Sequence, residues 1–560
     1  MTQERNAAIQ GFAMTTRMIP QSLRFAAVLC SVCLYTASCS DDDSGPTLDA
    51  ATPDALAPDT MQAPDAAIDA AVEPECRVPD DCADDLFCNG VETCAGGQCA
   101  PASAGPCDDN IACTVDICDE DGERCRNTAD HSLCSNGFFC DGAETCSATG
   151  CQDGPPPVMA DGVLCRNGRI TAGSAHTCVL LNDGQVYCWG RSDLGQTGHG
   201  NRTVFGDDEP ASAGGPLAFG GEVVVDIEAG DNHTCALLAS GNVRCWGFGA
   251  NGRLGYGNTN DLGDDPNETP ANLANVAVGG TVVQIAAGGS HTCALLADGT
   301  VRCWGANTSG QLGYGNTTTI GDNETPAAAG PVDVGGTVVQ ITAGASHTCA
   351  LLADGAVRCW GSGALGRLGY GNTFTIGNDE TPAAAGPVDV GGPVKQIAAG
   401  GNHTCAVLDT GEVRCWGFAS SGQLGYGNTI TVGGQPDRLP AAFGPVNVGG
   451  AVAEVALGES HTCARLETNT VRCWGRGEHG QLGHASTENL GDDEDLPNTD
   501  VALTDTASLL AAGAEHNCAL LADGDVICWG NGGLGRLGHG DLDSIGDDEP
   551  PTASGNVPVP

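Results

Sequence analysis

The feature that most narrows what this chain can fold into is a triplet, His-[Thr/Asn]-Cys, that returns seven times. Ten residues after each triplet's Cys comes Cys-Trp-Gly. The cysteines therefore couple as Cys178 with Cys188, Cys235 with Cys245, Cys293 with Cys303, Cys349 with Cys359, Cys405 with Cys415, Cys463 with Cys473 and Cys518 with Cys528. Every tryptophan of the 560-residue chain, Trp189 to Trp529, lies in one of these steps, with spacings of 55 to 58 residues. A period of that size marks one supersecondary unit per repeat, which cannot bury its apolar face alone and must stack on its neighbours.

In the third unit, Val282–Ala287, His291–Leu296 and Thr300–Trp304 read as strands. The loop Ala297-Asp298-Gly299 suits a tight hairpin, with Gly in the left-handed conformation. That register sets Leu296 opposite Thr300 and, counted outward, Cys293 opposite Cys303, within disulfide reach. Each such bond closes a short loop and contributes roughly 2.5–3 kcal/mol by chain entropy. A fourth strand is expected in the short run before each unit, such as Gly330–Gly335. The first unit follows directly from Cys165 without one, so the C-terminal run Ser554–Pro560 is expected to complete it and close the ring. The fold class is therefore all-β: a seven-bladed β-propeller over residues 166–560, whose many tight turns match the 84 glycines.

The unit pattern Ala-Ala-Gly-x-x-His-Thr-Cys-Ala-Leu-Leu-x-x-Gly-x-Val-x-Cys-Trp-Gly, followed by Gly-Gln-Leu-Gly-Tyr-Gly-Asn, resembles the regulator of chromosome condensation repeat family across all seven units, about residues 167–560. The resemblance implies a propeller that offers loop-built faces to partners. The family's eukaryotic members exchange nucleotide on a small GTPase or contact chromatin. A formal charge of -49 argues against both here, because it repels phosphate backbones, and no nucleic-acid partner is expected. The sialidase Asp-box, Ser-x-Asp-x-Gly-x-x-Trp, is not matched by Asp298-Gly299 with Trp304 five residues on.

The N-terminus points to export. Arg24 precedes the apolar run Phe25–Tyr35, too short for a mature membrane span, and Thr36-Ala37-Ser38-Cys39 resembles a lipoprotein signal with Thr36 in place of its usual Leu. Residues 1–39 are thus expected to be a signal peptide, with Cys39 the lipidated first mature residue. Residues 40–75 carry ten acidic groups and no basic one among Ala and Pro, the composition of a disordered tether. Residues 76–165 hold fourteen cysteines and an internal duplication: the steps from Cys82 to Cys99 recur from Cys134 to Cys151. Short cysteine-rich modules of this kind, which resemble repeats of slime-mould matrix proteins, read as disulfide-stapled units in an oxidising compartment.

The histidines His176, His233, His291, His347, His403, His461 and His516 recur one per unit. A ring of that radius cannot place several imidazoles about 2 Å from one ion, so they are expected to hold backbone, and the tryptophans to pack blades rather than absorb light. Acidic loops recur after Gly-Tyr-Gly-Asn or its equivalent, and within them Asp207, Asp208, Asp264, Asp265, Asp547 and Asp548 are candidate calcium ligands on one rim. The fifth unit departs from that pattern with Gly433-Gly-Gln-Pro-Asp-Arg438. No nucleophile elbow, zinc-protease helix motif or phosphate loop occurs. The expectation is a non-enzymatic, monomeric cell-surface or secreted protein that binds an extracellular protein or glycan through a propeller face, touching membrane only through its lipid. An extracellular polysaccharide lyase or hydrolase, and a structural spacer of a matrix, are the alternatives.

Overall fold

The computed structural model describes residues 168–560, together with the backbone of six short strands between Thr93 and Gln152. The expected leader, Cys39 and the acidic tether lie outside the described residues, as does most of the cysteine-rich stretch. The six strands form three hairpins, in which Cys94 pairs with Cys99, Cys118 with Cys125 and Cys146 with Cys151. The first and third are copies, as the duplication requires.

Residues 168–560 form seven three-stranded antiparallel sheets, numbered here as blades 1 to 7 from the one bearing Trp189 to the one bearing Trp529. In blade 3 the inner, middle and outer strands are Val282–Ala287, His291–Leu296 and Val301–Gly305. Leu295 faces Val301 and Cys293 faces Cys303, as the hairpin loop dictates. Gly299 takes φ 78°, which a Cβ would disfavour, and so permits that three-residue connection. The middle strand is buried along its whole length, because a blade inside the ring has neighbours on both faces.

Every blade carries one disulfide between its middle and outer strands. From blade 1 to blade 7, Cys178 is bonded to Cys188, Cys235 to Cys245, Cys293 to Cys303, Cys349 to Cys359, Cys405 to Cys415, Cys463 to Cys473 and Cys518 to Cys528. These are the seven couples that the spacing predicts, and their Cα atoms lie 4.0 to 4.1 Å apart. The seven tryptophans are among the largest fully buried side chains.

The fourth strand differs from expectation. Val332 bridges to Val301, Val388 to Val357 and Val446 to Val413, so each run completes the blade before it, as a single bridged pair. Blade 1 has its own: the Leu217 N–H donates to the Val186 carbonyl. The C-terminal run completes blade 7, where the Val557 N–H donates to the Val526 carbonyl at 2.7 Å, and does not complete blade 1. Blades 1 and 7 carry Tyr187 and Ile527 where blades 3 and 4 carry an arginine that steers this run. Arg302 donates to the Ala327 carbonyl and Arg358 to that of Ala383, pinning the following Pro-Ala-Ala turn against the arginine's own blade. The valine run beyond that turn is then delivered to the same blade's outer strand. Ring closure rests on contacts between blades 7 and 1 and needs no shared strand.

Candidate functional site

The repeated polar residues form one closed circuit. His347 Nε2 lies 2.9 Å from Thr404 Oγ1 in the next blade, and Thr404 donates onward to the Arg367 carbonyl, which also accepts the Trp416 indole N–H. The same step is made at His176–Thr234, His233–Thr292, His291–Thr348 and His403–Thr462, and across the closing seam by His516–Thr177. At His461 the acceptor is Asn517 Oδ1, whose amide nitrogen donates to the Gln481 carbonyl. The expected structural role of the histidines therefore holds, but their partner is the Thr or Asn of the neighbouring triplet rather than backbone. Gly344 shows why Gly stands three residues before each histidine: a Cβ there would collide with the His347 ring.

The circuit fixes the protonation state. Each threonine hydroxyl has one proton and commits it to a carbonyl, so the imidazole must carry its own on Nε2. The rings are neutral, since burial lowers His176, His291 and His461 to about 4 and His403 to about 3, and pushes His233, His347 and His516 well down as well. Nδ1 of six of them has no partner. These groups hold blades together and present nothing to solvent.

Along the axis, the seven inner strands surround a cavity of about 400 Å³. In blades 3 to 5, Gln284, Gln340 and Gln396 each clamp the N–H and carbonyl of the next inner strand, at Ile341, Ile397 and Val455. The aligned position holds Arg169, Asp226, Glu454 and Leu509 in blades 1, 2, 6 and 7. Arg169 lies 3.6 Å from Asp226, and Arg465 lies 3.1 Å from Glu454. Glu228, two residues beyond Asp226, also lines the cavity. Burial pushes Asp226 up to about 6 and Glu228 well above the carboxylate range, with Asp226 adding to the latter. This non-repeating group was legible as a break in the glutamine column, although sequence reasoning passed over it. Of this group Glu228 lines the axial cavity, whereas the carboxylates of the polysaccharide-enzyme alternative were expected on a face.

The connections that leave the outer strands come in two kinds. Blades 1, 3, 5 and 6 carry Gln196, Gln311, Gln423 and Gln481, whose Oε1 accepts the backbone N–H two residues back. Blades 2, 4 and 7 carry Arg253, Arg367 and Arg536, whose Nε donates to the carbonyl three residues back. The arginine turns have a left-handed residue between: Asn251 (φ 60°), Leu365 (φ 62°) and Leu534 (φ 63°). Asn tolerates that conformation, whereas a leucine there costs about 1–2 kcal/mol. Both leucines keep part of their side chains in solvent. Leu365 is 39% exposed and Phe374, on the same connection, 74%. Ile430 of blade 5 and Leu542 of blade 7 are exposed as well.

The acidic loops lie on these connections too. Asp207–Glu209, Asp492–Glu494 and Asp547–Glu549 each bring three carboxylates within 4.8 Å of one another. Three oxygens are about half of a calcium shell. Burial first, then Asp548, pushes Glu549 up to about 7. Asp264 and Asp265 do not group this way; Asp264 is held by Arg202 at 2.6 Å.

Comparison with known proteins follows the same ground. The RCC1-like domain pattern matches residues 260–555, and the regulator of chromosome condensation (RCC1) repeat matches 169–196, 224–253 and 183–237. Ultraviolet-B receptor UVR8 of Arabidopsis thaliana is 32% identical over 375 residues, 66% of this chain and 78% of the receptor. E3 ubiquitin-protein ligase HERC2 of Homo sapiens is 32% identical over 342 residues, 60% of this chain but 6% of the ligase. Yeast RCC1 (Prp20), solved bound to Kap60, superposes with a TM-score of 0.52 at 22% identity, over 67% of this chain and 84% of that one. A second structure, Prp20p from Saccharomyces cerevisiae, described with its binding to Gsp1p and histones, also gives a TM-score of 0.52 at 22% identity, over 67% and 86%. At that identity the superposition speaks for the fold.

Proposed function

This chain belongs to the RCC1-like repeat family, and on that premise we propose that it is a non-catalytic binding protein, exported and lipid-anchored, that engages an extracellular protein through one propeller face. The observation that carries the reading is the division of labour among side chains. The recurring His, Thr, Trp and Cys are buried and engaged within the blades or between them, while the exposed connections differ from blade to blade. Partner recognition belongs where blades differ. The relatives support this kind of use, since Prp20 was solved bound to Kap60.

Export draws its support from the apolar run Phe25–Tyr35 ahead of Cys39 and from seven disulfides, which persist in oxidising compartments. The test uses the tagged full chain as bait for surface extracts, with and without EDTA. One dominant captured protein supports the reading, and capture lost on chelation would assign calcium to the acidic loops. Capture of nothing under either condition overturns it. In a parallel fractionation, Cys39→Ser is expected to move the chain out of the membrane fraction, and an unchanged distribution would reject the lipid anchor.

A further inference from the structure

The blade 4–blade 5 seam concentrates three departures from the repeat. Blade 4 places Leu365 in a left-handed turn that Asn251 occupies in blade 2, and leaves its side chain in solvent. Phe374, on the same connection, is the most exposed large apolar side chain among the described residues, at 74%. Gly363 packs against the Phe374 backbone carbonyl, so both ends of the connection are held together. In blade 5 the same position as Phe374 is Ile430: each N–H bonds the Asn two residues earlier, Asn372 or Asn428. The blade 5 loop then runs Gly433-Gly-Gln-Pro-Asp-Arg438, where other blades carry acidic pairs or triads. Gly434 abuts Gly366 and Thr373 of blade 4, and Gly371 of blade 4 abuts Pro436 and Leu439, so the two connections share one surface.

Phe374, 74% exposed, gains little from burial, and Leu365 keeps a strained backbone with part of its side chain in water. An exposed outlier of this kind points to recognition. Acidic groups frame the sector: Asp379–Glu380 on blade 4 itself and Asp492–Glu494 on blade 6. The whole chain, at -49, repels acidic partners. Complementarity therefore selects a partner segment that is basic and carries large apolar side chains.

Resting on the binding function proposed above, we propose that the blade 4–blade 5 sector, with Leu365, Phe374 and Ile430 as its apolar floor, docks a basic protein segment bearing aliphatic or aromatic anchors. The probe is a labelled cationic peptide containing Leu and Phe, compared with a charge-matched peptide in which Ser replaces both. Fluorescence anisotropy with the full chain is expected to show at least tenfold tighter binding of the apolar-containing peptide. Leu365→Asn combined with Phe374→Ser is expected to remove at least fivefold of that preference, and the blade 7 counterpart, Leu534→Asn with Leu542→Ser, to leave it unchanged. Because Leu365→Asn installs the residue blade 2 already uses, an undiminished thermal midpoint confirms that the variant folds. Equal binding of both peptides, or a blade 4 variant with full preference, overturns the surface. If the bait experiment captures a partner that these substitutions do not release, this surface is wrong and the binding function stands; capture of nothing by the unaltered chain defeats the binding function itself.

Discussion

The seams between blades and the connections outside them are built from the same seven repeats, yet they tolerate difference very differently. At the seams one polar circuit recurs seven times, and its sole departure, Asn517 for Thr, keeps both hydrogen bonds. On the connections, acidic loops come and go, and partly exposed leucines sit in strained backbone. A buried donor without a partner costs its full desolvation, whereas an exposed one finds water. Burial thus enforces the repeat at the seams, and solvent leaves the exposed connections free to diverge.

The severest challenge to the seams is acid. The seven histidines have folded pKa values below the unfolded value of about 6.5, so the stability they confer is complete above that pH. It is lost as pH falls from there toward about 4, at up to ~1.4 kcal/mol per histidine per pH unit. Asp226, Glu228 and Glu454, raised by burial, act oppositely and favour the folded state as pH falls. Tryptophan fluorescence should report unfolding as the buried histidines become protonated between pH 6 and about 4. Stability unchanged across that window would contradict the neutral circuit.

Removing one covalent tie is next in size. Cys349→Ala with Cys359→Ala should lower unfolding free energy by roughly 2.5 kcal/mol in urea titrations, given the short loop it closes. Thr404→Val strips the acceptor from the His347 Nε2–H and should cost about 1–3 kcal/mol, while Asn517→Thr, which restores the majority step, should stay within about 0.5 kcal/mol. The smallest effect has the opposite sign. Leu365→Asn relieves left-handed strain on the exposed side and should stabilise by about 0.5–1 kcal/mol, seen as a higher thermal midpoint. A loss there instead would mean that the leucine is packed in a way its exposure denies.

Much of this was readable in advance. The hairpin loop Ala297-Asp298-Gly299 with Cys293 and Cys303 ten residues apart admits one register, and the structure has it. The Phe374 sector left only a weak trace, the interrupted acidic loop of blade 5, since nothing in a one-dimensional pattern says which apolar residue of a loop stays in water. The pair Arg169 and Asp226 left a trace as well, at aligned positions where the glutamine column fails. Its meaning depends on distances across blades.

The sequence by itself determined the unit: three strands, one disulfide, one tryptophan and seven copies, because turn chemistry and strand register are local and repeat wherever their residues do. The tertiary structure alone decided what joins the units. Which blade receives each valine run, which carbonyl each Thr and Trp share, and how blade 7 meets blade 1 all depend on residues far apart in the chain. Such contacts are set by packing many surfaces at once, and no short segment carries them.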